Sequence, residues 1–162
     1  MRRILYQTLR AQVAKVGRET IVGLLVALQL FVAEDPTDRW QRHLGHLQEL
    51  AAGLQPLTGL GCTLELSEGG EESTPGLKLT LPEEKLGLTA MQAVVMLQAG
   101  DEGAGRPAVA PKPPNIRDGA LEFGPVCLRP GDALAVAAAV RSVVESAALV
   151  AGVAAEASAV VE

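Results

Sequence analysis

From Ile21 to Ala33, inside the stretch KVGRETIVGLLVALQLFVAEDP that begins at Lys15, the only strongly polar side chain is Gln29. Ile21, Leu24, Leu25, Leu28 and Val32 form one face at helical spacing, and Val22, Val26, Leu30 and Phe31 cover most of the rest. A helix apolar all round lies in a membrane or is covered on several sides. This run is shorter than the ~20 residues that span a bilayer. The expectation is a buried helix, and the rest of the chain, or a partner, has to bury it.

The 162 residues fit one domain with tails. Hydrophobic residues make up 48% and charged residues 20%, a globular composition, while aromatics make up only 2%. The core is therefore aliphatic, and surfaces on which bases could stack are nearly absent. With a net charge of −5 as well, nucleic acid is not an expected partner. Cys62 and Cys127 lie in separate apolar segments without metal-type spacing and read as buried free thiols of a reducing, cytoplasmic protein. No secretory signal is expected at the N-terminus, and Arg2, Arg3, Arg10, Lys15 and Arg18 read as a solvated helical lead-in.

Asp35-Pro36 separates two helices, with Asp35 as cap and Pro36 in the first turn of the second. Trp40, Leu44, Leu47, Ala51 and Leu54 then form a one-sided stripe that Gly53, Pro56 and Gly59 bring to an end. The period changes in GLGCTLELSEGG, where Leu60, Cys62, Leu64 and Leu66 alternate with Gly61, Thr63 and Glu65. LKLTL repeats the alternation, so the two segments form a hairpin. Thr89 caps a short helix, and an extended piece is expected at Pro107 to Ala110. ALEFGPVCL supplies another strand, and Asp132 opens a closing helix from Ala133 to about Glu145. The Ala/Val-rich residues 146–162 continue that helix or fray, and no membrane span is expected there. The order α-α-β-β-α-β-β-α gives an α+β fold, a small antiparallel sheet covered on one face by helices.

Three segments resemble a known family. The KVGRETIVGLLVALQLFVAED stretch is similar to the segment after the cofactor-lysine region of fold-type-I pyridoxal-phosphate enzymes, in the selenocysteine-synthase-like branch that includes the D-glucosaminate-6-phosphate ammonia-lyase-like proteins. GLTAMQAVVMLQAGD resembles the family's helix and following strand. DGALEFGPVCLRPGDALAVAAAVRSVV resembles its last strand, its turn and its closing helix. The resemblance covers residues 15–145 and implies the small C-terminal domain of such an enzyme. Residues 15–34 would be the interdomain helix, 1–14 a lead-in and 146–162 a tail. It also implies why the first helix is so apolar: the family sandwiches it between the small domain, the large domain and often a second subunit.

The large domain would carry the Schiff-base lysine, the acid facing the pyridine nitrogen and the phosphate loop. None of Lys15, Lys78, Lys85 or Lys112 stands in such a context, so no catalytic or cofactor-binding residue is assigned, and pyridoxal phosphate is a cofactor of the resembled family only. The family's arginine facing the substrate carboxylate aligns with Lys112, with Arg106 and Arg117 as alternatives, and Gln12 replaces another family arginine. A lysine attracts an anion without the bidentate geometry of arginine. His43 and His46 share one helix and do not amount to a zinc site, which needs three or four converging ligands. Two functions follow. One is a partial lyase- or transferase-like protein, non-catalytic alone, joined through residues 21–33 to a large-domain partner or a second copy. The other is a stand-alone interaction module.

Overall fold

The computed structural model describes residues 17–69, 73–112 and 119–159. The chain divides into two compact units between Asp38 and Arg39. In the first, α1 (Arg18–Ala33) starts after Gly17 without a side-chain cap, and Glu19 sits in its first turn. None of its residues is buried: exposure runs from 48% at Ile21 and Val26 to 81% at Val32. The expectation of a buried helix is therefore not met by the described residues of this chain. Asp35 then accepts a hydrogen bond from the Thr37 amide at 2.7 Å, capping α2 (Pro36–Leu54) as the Asp-Pro pair predicts.

In the second unit α2 buries Leu47, Leu50 and Leu54, and a 3-10 turn (Gln55–Leu60) adds Leu57. Gly61, at φ 92°, reverses the chain into β1 (Thr63–Ser67). Next come β2 (Gly76–Thr80), the short α3 (Glu83–Leu86) and α4 (Ala90–Ala99), then β3 (Ala120–Phe123) and α5 (Asp132–Ala159). The sheet is antiparallel in the order β1-β2-β3. Its register sets Leu64 opposite Leu79 and Leu79 opposite Leu121, with Leu66, Leu77 and Phe123 in the next row. That face joins the core, in which Leu77, Leu79 and Leu121 are fully buried. The alternate residues Glu65, Lys78 and Glu122 form a row on the other face.

The α+β class and the helix-covered antiparallel sheet are as the sequence predicts. The expected fourth strand at 107–110 does not form. Pro107 and Pro111 have no amide hydrogen to donate, and that stretch is held through Val109, whose N–H reaches the Leu97 carbonyl at 2.8 Å. The ladder is touched again at one bridge, Lys112 to Glu122. β3 is also shorter than the apolar run suggested, because Gly124-Pro125 stops it at Phe123. A turn follows, with the Leu128 amide bonded to the Pro125 carbonyl, and it exposes Cys127, which was expected to be buried.

The Arg129-Pro130-Gly131-Asp132 turn is closed from both sides. The Arg129 amide donates to Asp132 Oδ2 at 2.9 Å, and the Asp132 amide donates to the Arg129 carbonyl at 3.0 Å. α5 then packs against α3, α4 and the 3-10 turn, burying Val140, Val143 and Val144 in the same core as Leu79 and Phe123. It continues through the Ala/Val-rich stretch as one helix. Residues Asp132–Gly152 are long and apolar enough to cross a membrane, and a third of that length is buried inside this unit.

Candidate functional site

Among the described residues, the open face of the sheet carries a cleft that takes in a sequence-predicted site residue, Lys112. Its volume is about 440 Å³, and Glu65, Ser67, Gly76, Lys78, Lys112 and Glu122 line it together with the edges of Leu66, Leu77 and Phe123. Strand register creates the row, since Glu65 pairs with Lys78 and Lys78 with Glu122. Lys112 is added by its backbone: its N–H donates to the Glu122 carbonyl at 2.8 Å. Its side chain passes over Gly124, where a Cβ would lie 3.4 Å from Lys112 Cε and 3.6 Å from Nζ. Two lysines and two glutamates side by side suit a ligand of mixed charge better than a simple anion, because each ammonium already has a carboxylate for a neighbour.

The two described candidates, Lys112 and Arg106, do not converge. Lys112 is in the cleft and exposed. Arg106 is not among the cleft's lining: it closes a tight turn by exchanging backbone hydrogen bonds with Asp101 at 2.8 and 2.9 Å, while its guanidinium donates to the Gly100 carbonyl at 3.1 Å. Asp101 Oδ1 secures the same turn by accepting from the Ala104 amide. Arg117 lies outside the described residues. Lys78 and Glu122, which sequence reasoning did not single out, were recoverable from the strand alternation, since they fall on the face opposite Leu77, Leu79, Leu121 and Phe123.

The described lysines do not fit a Schiff-base role. Lys78 is in mid-strand between two glutamates, and Lys85 and Lys112 are exposed, whereas that chemistry needs an enclosed amine beside a phosphate cradle. Lys15 lies outside the described residues. Among the described residues no three His, Cys, Asp or Glu side chains converge as metal ligands, and His43 and His46 are half-buried on α2. Burial raises the pKa of the Cys62 thiol, an effect that the nearby Lys85 ammonium partly opposes.

No protein-family model matches the chain, and no curated protein does. Among solved structures it is similar to D-glucosaminate-6-phosphate ammonia-lyase, with a TM-score of 0.65 and 21% identity. The similarity covers 85% of this chain and 35% of that one. The chain thus spans about a third of the length of the ammonia-lyase and shares the fold of that portion.

Proposed function

We propose that this chain is the small-domain part of a lyase- or transferase-like system of the pyridoxal-phosphate type, non-catalytic alone, which offers α1 as its association surface. The observation that carries this is the fold likeness to a third of an ammonia-lyase, combined with a helix whose large apolar side chains are all exposed. In this reading the large domain, on another chain or a longer product, supplies the cofactor and the lysine that binds it. Lys112 and the charged row beside it would then face the substrate's polar groups. No reaction step is assigned to residues of this chain.

The alternative is a stand-alone association module that keeps the fold without the chemistry, and the exposed α1 serves it equally well. In both readings the partner is a protein, either a second copy or a large domain, and the cysteines are thiols in the cytoplasm. Titrating the purified chain with pyridoxal phosphate tests the shared claim that it is non-catalytic alone. The expected result is no stable aldimine absorbance, with borohydride trapping only weak label spread over surface lysines. A saturable band with one lysine labelled would overturn the proposal.

A further inference from the structure

We propose that the outer edge of β1 receives an extended segment of a partner polypeptide with an apolar–basic–apolar pattern, which adds a strand to the sheet and sets its basic side chain opposite Glu65. No residue of α1 takes part, so this surface is independent of the association reading above. β1 stands at the end of the order β1-β2-β3, and among the described residues it pairs with β2 alone. The N–H and C=O groups on its outer side repeat at strand spacing, and what satisfies them is another extended backbone. The edge is regular: Thr63 to Ser67 pair one to one with β2, without a bulge, and none of them is proline. Its core-face side chains, Leu64 and Leu66, are only half-buried, whereas their partners Leu79 and Leu77 are 0% and 1% exposed. The opposite edge differs, for there the Lys112 N–H already donates to the Glu122 carbonyl and Leu121 is fully buried. Just past β1, Trp40 Nε1 donates to the Glu68 carbonyl at 3.0 Å, so the open stretch ends near Ser67.

Charge selects the occupant. Lys112, Glu122, Lys78 and Glu65 are cross-strand partners in succession, so one row alternates in sign across the sheet and ends on Glu65 at the open edge. An added strand, ~4.8 Å away, places one side chain directly opposite Glu65. A Lys or Arg there continues the alternation, and a carboxylate is repelled. The residues on either side of it fall on the core face beside Leu64 and Leu66, which favours apolar ones. β2 is the example within this chain: Leu77-Lys78-Leu79 lies between Leu64-Glu65-Leu66 and Leu121-Glu122-Phe123. A second copy's β1 fits less well. The antiparallel register that sets Leu64 against Leu66 also sets Glu65 against Glu65, and sliding to the next register that keeps the faces matched shortens the ladder.

A fluorescein-labelled peptide of residues Pro75–Leu81, the chain's own apolar–Lys–apolar strand, serves as the probe, with fluorescence anisotropy against the full chain as the readout. It should bind saturably. The peptide with Lys78→Glu should bind about fivefold more weakly or worse. N-methylation of the Leu77, Lys78 and Leu79 amides should abolish binding, since it removes the main-chain donors. Glu65→Lys in the chain, at an exposed position, should reverse the preference between the Lys and Glu peptides. Should that variant fail to fold, hydrogen exchange of the wild type decides. The Lys peptide should slow exchange at alternate amides of β1 while β2 keeps its own protection, which distinguishes addition of a strand from replacement of β2. No saturable binding, equal binding of the two peptides, or binding indifferent to N-methylation would overturn the proposal. Protection of β1 that grows with the concentration of the chain alone would assign the edge to a second copy and overturn it as well.

Discussion

Gly53 on α2 and Ala137 on α5 stand so close that a Cβ built on Gly53 would lie 2.6 Å from the alanine methyl. Gly53 has no left-handed φ, so the lack of a side chain, and not backbone freedom, is what this position requires. In an open helix, Gly→Ala stabilises by about 1 kcal/mol. Here the sign should reverse. Gly53→Ala is expected to lower the free energy of urea unfolding by about 1–3 kcal/mol through overpacking. Gly53→Ala/Ala137→Gly should recover most of that loss. A stabilised single variant would show that the two helices do not cross so closely.

Val140 is fully buried in the core shared by α5 and the sheet. Val140→Asp leaves a charge there without a partner and should cost about 3 kcal/mol or more. Leu134→Gln, on the same helix at a position 57% exposed, should change stability by less than about 0.5 kcal/mol. Urea unfolding of the pair checks the placement of α5. Equal tolerance of both changes would mean that the helix docks through a different face.

The sequence was most legible where one local rule and the global pattern agreed. The 2-residue period placed β1 and β2, the Asp-Pro pair started α2, and the turn before Asp132 opened α5. It misled where context decided. ALEFGPVCL is apolar apart from Glu122, but its backbone stops pairing at Gly124-Pro125, which puts Cys127 in solvent. The extended piece expected at Pro107 lies in a Gly- and Pro-rich stretch without a period, and its Val109 amide is taken by the Leu97 carbonyl instead of a ladder. The cleft was legible in part: Lys112 was anticipated from the resemblance, and the strand alternation puts Lys78 and Glu122 opposite the core face, whereas only the register sets those two side by side.

The start of α4 makes a third test. Thr89 Oγ1 accepts from the Gln92 amide at 3.2 Å, and the Thr89 amide donates to Gln92 Oε1 at 2.9 Å. Glu83, on α3, accepts from the Ala90 amide at 2.7 Å. Thr89→Ala should cost about 1 kcal/mol. Glu83→Ala should cost at least as much, since it removes a charge-assisted bond and the tie between two helices. Chemical denaturation of both variants measures this, and a neutral Glu83→Ala would show that the tie contributes nothing.

The two thiols should behave oppositely. Cys127 is exposed and should react with a thiol reagent in the folded protein, whereas Cys62 should react only after unfolding. Because burial raises the Cys62 pKa above 9.0, the folded state favours the neutral thiol. That contribution is fully present below the unfolded pKa and is lost as pH rises through the folded value. Stability should therefore fall at alkaline pH above about 9, and Cys62→Ala should flatten that part of the profile. An unchanged slope in the variant would assign the loss to other groups.

Sedimentation equilibrium of the wild-type chain over a wide concentration range tests most directly the claim that α1 is an association surface. The account predicts a dimer or larger species, and a folded monomer for Val26→Glu/Leu30→Glu, because these changes put charge on a helix whose large apolar residues are all exposed. A wild-type chain that stays monomeric at high concentration would contradict it, showing that α1 does not bring copies together.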